Sequence, residues 1–278
     1  MEATRIEENT TDIPYQGESL KEEWNLLSKE GSEILKTFQG NYNAIEFRVD
    51  MFLNKLCSVW CKKEFTPNKL VKSYLGTEVP ESQYESAKIL PENLEFYKDC
   101  ISRAIGVMRT ICDIPIIYTV RTVEDGGFLD TKSSTDFTLY NKLVKYGAEE
   151  MCCDFIDIEF QFKENKWGIP DILKSWTNSL VIMSKHFIKH EKLIDYQQLA
   201  FSLKVYKKSF DILKIVTSFE NLDDFNEAQL VFREGKFTQP IIQVNIGSKL
   251  KITRILNKYM LPVSCPEISK LATAPGKI

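Results

Sequence analysis

Histidine is scarce in this chain, with two in 278 residues, and that scarcity argues against a histidine-built metal centre. Cysteine does not make up the deficit. Cys57 and Cys61 stand four apart and Cys152 and Cys153 are adjacent, but neither pair has a second pair at zinc spacing. Seven cysteines, an odd number, are expected to stay reduced. Long apolar runs are missing too: the stretch 114–120 is too short to cross a bilayer. The first residues, MEATRIEENTTDIP, have no signal-peptide core, so a cytoplasmic protein without a membrane role is expected. There is no lysine–arginine block, and the formal net charge is −3, which argues against nucleic acid as a direct partner.

What is present is enough apolar and aromatic residue, 43% and 12%, to bury a large core. Residues 1–17 read as a disordered polar tail and 18–278 as a single domain. Helical spacing runs through Leu20, Trp24, Leu27, Ile34 and Leu35. Short apolar runs of strand type follow at 44–52, 114–122, 154–160, 180–184, 212–217, 240–246 and 261–264, with helical candidates near 92–111, 135–150, 192–208, 221–233 and 248–259. Strands apolar on both faces and alternating with helices predict an α/β fold with a parallel sheet, here a (β/α)8 TIM-type barrel. Its first strand is weak or missing: either residues 11–15 fill the gap poorly or the chain starts inside an ancestral domain. Residues of about 54–91, with Pro67, Gly76 and Pro80, read as an insertion.

Within run 212–217 sits Lys214. A lysine in an apolar strand is costly unless it is discharged or paired. Discharged, its amine can attack a ketone and form an imine; otherwise it snorkels from the strand end or meets a carboxylate. Catalytic residues of β/α barrels stand at the C-terminal ends of strands. Those ends carry Glu46, Arg48 and Asp50, then Arg121, then Asp157 and Glu159, then His186, then Lys214, with Arg254 in the helical stretch after the next run. Each has an ordinary explanation as a strand pair, a cap or a core histidine. Gathered at one barrel mouth they make an imine-type set: lysine as nucleophile, histidine as proton shuttle, arginines as anion or hydroxyl anchors.

Six segments in order, AIEFRVD (44–50), IPIIYTVRTVEDGG (114–127), FIDIE (155–159), MSKH (183–186), ILKIVT (212–217) and ITRILNKYMLPVSCP…TAPGKI at the C-terminus, resemble type I 3-dehydroquinate dehydratase. The likeness covers roughly 18–278 and is nearer to the domain in the fungal pentafunctional arom polypeptide than to the bacterial enzymes. The fungal quinate-pathway repressor is also similar. The resemblance implies a hydro-lyase of the shikimate or quinate pathway that converts 3-dehydroquinate to 3-dehydroshikimate through a lysine imine, with no metal and no cofactor. It implies Lys214 as imine former and His186 as the base beside the imine carbon. Arg254 would grip the substrate carboxylate, and Glu46, Arg48 and Arg121 would surround its hydroxyls. Asp125 would orient the histidine, and Gly126–Gly127 would let that loop turn.

The chain departs from the family pattern in two places. Phe187 stands where the family has aspartate, and Thr273-Ala-Pro-Gly-Lys277 replaces Ser-Ala-Pro-Gly-Gln on a substrate-covering loop. Thr273 keeps a hydroxyl for the substrate, and Lys277 faces either the substrate carboxylate or solvent. These departures carry an alternative: a catalytically impaired sensor or repressor module that binds quinate-pathway metabolites. A homodimer is compatible with the resemblance. The chain stops where the arom dehydratase segment would give way to the next domain.

Overall fold

Isoleucine, valine and phenylalanine dominate the short runs, and their branched or flat side chains suit a pleated surface buried on both sides. In the computed structural model the described residues are 36, 43–60, 89, 91–131, 134–160, 177–187, 193–206, 208–235, 237–246, 250 and 252–255. Six strands appear among them: β1 (Ile45–Arg48), β2 (Ile116–Thr119), β3 (Phe155–Glu159), β4 (Leu180–His186), β5 (Ile212–Thr217) and β6 (Ile241–Asn245). The helices are α1 (Val49–Trp60), α2 (Leu94–Ile111), α3 (Ser134–Glu149), α4 (Leu193–Val205), α5 (Leu222–Glu234) and the short α6 (Ile252–Ile255).

All neighbouring strands pair in parallel, and the sheet order is β1 to β6 without reversal. A doubly wound open sheet reverses its order at a switch point; a barrel does not. The six strands form the half-barrel of a TIM-type fold, as expected. The helical stretch 20–38 apart from residue 36, the first-strand candidate 11–15, the run 261–264, the tail and most of the insertion lie outside the described residues.

Two boundaries differ from expectation. The run 44–52 is a strand only to Arg48, and α1 starts at Val49. Val49, Leu53 and Cys57, four apart, all bury one face, so helical spacing prevails over β-type composition there. Helix α1 therefore occupies 54–60, the start of the stretch expected as an insertion. Strand β4 runs past Ser184 to His186, held by pairing of Lys185 with Ile215 and His186 with Val216.

Side chains alternate between two environments. Tyr118, Ile156, Ile158, Met183, Leu213 and Ile215 face the helices and join the main core. On the other face Ile212, Val216, Ile242, Val244 and Ile246 form a second, smaller apolar cluster. Each fully buried side chain of this size contributes about 1.5–3 kcal/mol. The lower end is clamped by Asp154, whose Oδ2 accepts from Ile116 N at 2.8 Å and from Arg109 Nη2 at 2.6 Å. No helix among the described residues is long and apolar enough to cross a membrane.

Candidate active site

The two-residue period of the strands puts Glu46 and Arg48 of β1, Asp157 and Glu159 of β3, Ser184 and His186 of β4, and Lys214 of β5 on the face away from the helices. Arg121, two residues beyond Thr119 of β2, keeps the same parity. Register does the rest. Lys214 pairs with Ser184, and His186 lies one pleat further toward the strand ends. Polar side chains on a sheet buried on both sides are costly unless they satisfy one another, and these do.

Asp157 is the hub. It is fully buried, and its Oδ2 accepts from Lys214 Nζ at 2.8 Å and from Arg121 Nη2 at 2.9 Å. Its Oδ1 accepts from the Ser184 hydroxyl at 2.5 Å, and Ser184 Oγ in turn lies 2.7 Å from Arg121 Nη1. Burial alone would raise this carboxyl; Arg121, then Lys214 and His186, hold it well below the usual carboxylate range. Lys214 Nζ also donates to Glu46 Oε1 at 3.3 Å, and Thr119 Oγ1 donates to the same oxygen at 3.2 Å. The sequence reading offered the lysine two fates, a discharged amine or a meeting with a carboxylate. The structure places it at the centre of the cluster and pairs it with two carboxylates. Those two contacts give the buried amine polar partners in the sheet.

His186 is bracketed by an arginine and an acid. Its Nδ1 lies 3.4 Å from Arg121 Nη1 and 3.5 Å from Asp125 Oδ2, while its backbone N–H donates to the same Oδ2 at 3.0 Å. Burial first, then the charge of Arg121, pushes the imidazole down to about 3, against the opposing pull of Asp125. Asp125 is reached from the turn after β2. That turn closes through Gly127 N–H to Thr122 O at 2.6 Å, with Gly126 at φ 84°. A Cβ on Gly127 would lie 2.2 Å from Arg121 O, so the room the sequence reading assigned to these glycines is a steric requirement. Lys185 Nζ donates to Asp125 Oδ1 at 2.5 Å. Behind His186, Phe187 is buried among tilted rings, 4.4 Å from Tyr196, which is 5.2 Å from Phe219.

Two further carboxylates brace the frame. Asp50 accepts both arms of Arg48, at 2.8 and 2.7 Å, and the Phe128 N–H at 3.1 Å, so it joins β1 to the loop that carries Asp125. Glu159 accepts from Thr122 N at 2.8 Å and Thr122 Oγ1 at 2.6 Å, with Arg121 Nη1 at 3.5 Å. Burial and then the charge of Asp125 push Glu159 up to about 8. Arg254 lies on α6, whose Thr253 hydroxyl accepts from Asn245 N at the end of β6, at 3.3 Å; its side chain is outside the described residues. Thr273, Lys277 and His190 are outside them as well.

Glu46, Arg121, Asp125, His186 and Lys214 are thus brought together, while Arg48 meets the cluster's rim through Asp50. The sequence reading named Asp157 and Glu159 at a strand end but gave them no task, and it passed over Ser184 and Lys185. The period-two signal was available: Ser184 precedes His186 by two, and Asp157 precedes Glu159 by two. Among the described residues, no three His, Cys, Asp or Glu side chains converge to hold a metal ion.

Comparison with known proteins gives the frame a relation. A family model described as type I 3-dehydroquinase matches residues 28–278. Among solved structures, the dehydroquinate dehydratase and shikimate dehydrogenase of S. pombe AroM is similar at a TM-score of 0.61 and 22% identity. That match covers 90% of this chain and 40% of the other, so the chain spans well under half of that protein. The type I 3-dehydroquinate dehydratase of Clostridium difficile, with covalently modified comenic acid, gives 0.54 and 20% identity, over 90% of this chain and 83% of that one. The 3-dehydroquinate dehydratase of Enterococcus faecalis gives 0.52 and 17%, over 90% and 82%. At these identities the structural likenesses show the fold.

Proposed function

This chain belongs to the type I 3-dehydroquinase family, and from that premise we propose that it dehydrates 3-dehydroquinate to 3-dehydroshikimate through an imine on Lys214. One observation carries the reading: the amine of Lys214 and the imidazole of His186 stand on one face, one pleat apart, and Arg121 reaches both Asp157, the partner of Lys214, and His186. In this reading Nζ, once it has passed its proton to Glu46, attacks the substrate ketone, and water leaves as the C=N bond forms, that proton returning to the nitrogen to make an iminium. His186, a neutral base at working pH, takes the proton from the carbon beside the imine carbon, and the electron pair moves into the enamine. The enamine expels the hydroxyl group, which takes the proton back from His186 and departs as water. Hydrolysis of the imine then frees the enone product and restores the amine.

Four cations around the cluster each meet a carboxylate of the protein: Arg48 meets Asp50, Arg121 meets Asp157, Lys185 meets Asp125, and Lys214 meets Asp157 and Glu46. As the family resemblance implies, Arg254 would grip the substrate carboxylate under the loop that carries Thr273 and Lys277, the latter facing that carboxylate or solvent, while Glu46, Arg48 and Arg121 would meet the substrate hydroxyls. Reaction is read as growth of the conjugated enone absorbance when the protein is mixed with 3-dehydroquinate. Growth that disappears in Lys214→Ala is expected, and its absence from the folded parent protein would remove the proposal.

A second reading is supported by Phe187, which packs against Tyr196 where the family has an acid. In it the barrel is a metabolite-sensing module. Stabilisation by 3-dehydroquinate without enone formation is the outcome it requires.

A further inference from the structure

We propose that Lys185 is a positioning residue: by holding Asp125 Oδ1 it divides the carboxylate that aligns His186, and so sets how readily that imidazole takes up a proton. The geometry is specific. By strand parity Lys185 belongs to the helix-facing set with Val181 and Met183, yet at the end of β4 its chain reaches back over the mouth to Asp125. Asp125 is almost fully buried. Its Oδ1 takes the Lys185 ammonium at 2.5 Å; its Oδ2 takes the His186 backbone N–H at 3.0 Å and faces His186 Nδ1 at 3.5 Å. One carboxylate therefore serves two adjacent residues of one strand, and the lysine has the shorter contact.

The same Nδ1 lies 3.4 Å from Arg121 Nη1, which can only donate to it. Donation from Arg121 makes Nδ1 an acceptor and leaves the proton on Nε2. Donation from Nδ1 to Asp125 leaves Nε2 bare, as a base needs it. The choice between these tautomers rests on the pull of Asp125, and Lys185 draws on that pull. The other charged or titratable groups about the ring are Arg121 and Asp125 from the turn after β2, Asp157 from β3 and Lys214 from β5, with Glu46 of β1 and Glu159 of β3 beyond Arg121. Of these, Asp125 opposes the net positive field of Arg121 and Lys214 at the ring most directly. Weakening it keeps the histidine neutral.

This inference bears on the proposed reaction, and its consequence for turnover rests on that reading, but its test does not. The chain has two histidines, so His190→Gln leaves His186 as the single imidazole for ring-nitrogen NMR titration. In that background Lys185→Gln is expected to raise the midpoint of His186 by about one unit or more, and Lys185→Arg to return it toward the parent value. A structural role alone would lower Tm and leave the midpoint where it was. Lys185→Met, which keeps the apolar stem, is the second variant should the glutamine one not fold. A folded Lys185→Gln or Lys185→Met protein with an unmoved midpoint overturns the proposal. Failure of both to fold, which would make Lys185 a structural counter-ion, overturns it too. If the midpoint moves while no variant dehydrates 3-dehydroquinate, the dehydratase reading fails and the positioning role stands.

Discussion

Replacing Asp157 by asparagine removes the hub's charge while keeping its shape. Arg121 is about 1% exposed and Lys214 about 9%, so neither cation can turn to solvent for relief. Asparagine keeps one carbonyl oxygen for the three donors that Asp157 now serves, Lys214, Arg121 and Ser184, and it sets an N–H against one of them. Breaking a buried pair from one side costs about 3–5 kcal/mol, because the remaining charge stays buried. Lys214→Met, by contrast, leaves Asp157 with Arg121 and Ser184, and its cost is expected at roughly 1–2 kcal/mol. The order Asp157→Asn worse than Lys214→Met is therefore set by which partner retains a counter-charge. Urea unfolding of both variants measures it, and the asparagine variant is expected to lose on the order of 10 °C in Tm. Equal stability of the two, or a less stable Lys214→Met, would refute the hub.

Other outcomes follow from the same contacts. His186→Ala is expected to keep its fold and lose about 10²–10⁴-fold in turnover, while His190→Ala loses little; kcat and Tm measured for both check this. Because His186 sits at about 3 in the folded protein and near 6.5 unfolded, its contribution to stability is present above the unfolded value and fades as pH falls below about 6.5. Glu159 runs the other way: raised to about 8, it binds its proton more tightly folded than unfolded, and stability falls as pH rises from about 5 toward 8. Glu159→Gln is expected to flatten that fall, as read from urea midpoints at about pH 5.5 and about pH 8.5; equal differences at both would count against it. Gly127→Ala must displace the turn from Arg121 O, carrying Asp125 with it, so turnover is expected to drop more than Tm does.

Strand order and the face carrying Lys214 and His186 could be read from the sequence because both follow from local pattern. Apolar runs separated by helical spacing leave little choice but a parallel sheet, and period two fixes which residues share a face. The start of α1 could not, since Val49–Phe52 is as apolar as a strand and only the recurrence of Leu53 and Cys57 betrays the helix. Nor could the pairing of Lys214. A lone lysine in a strand says that something must compensate it, but whether burial discharges it or Asp157 meets it depends on the neighbouring strand's register. Lys185 was hidden for a similar reason: its parity assigns it to the helix side, and only the turn brought over by Gly126 and Gly127 supplies Asp125 as its partner.

The imine on Lys214 is tested by borohydride reduction in the presence of 3-dehydroquinate, followed by intact-mass and peptide mass analysis. Reduction fixes an imine as a stable secondary amine on the lysine that formed it. One adduct per chain is expected, located at Lys214, absent from Lys214→Ala and still formed, more slowly, in His186→Ala. A folded protein that gives no adduct, or one whose adduct persists in Lys214→Ala, would contradict the assignment.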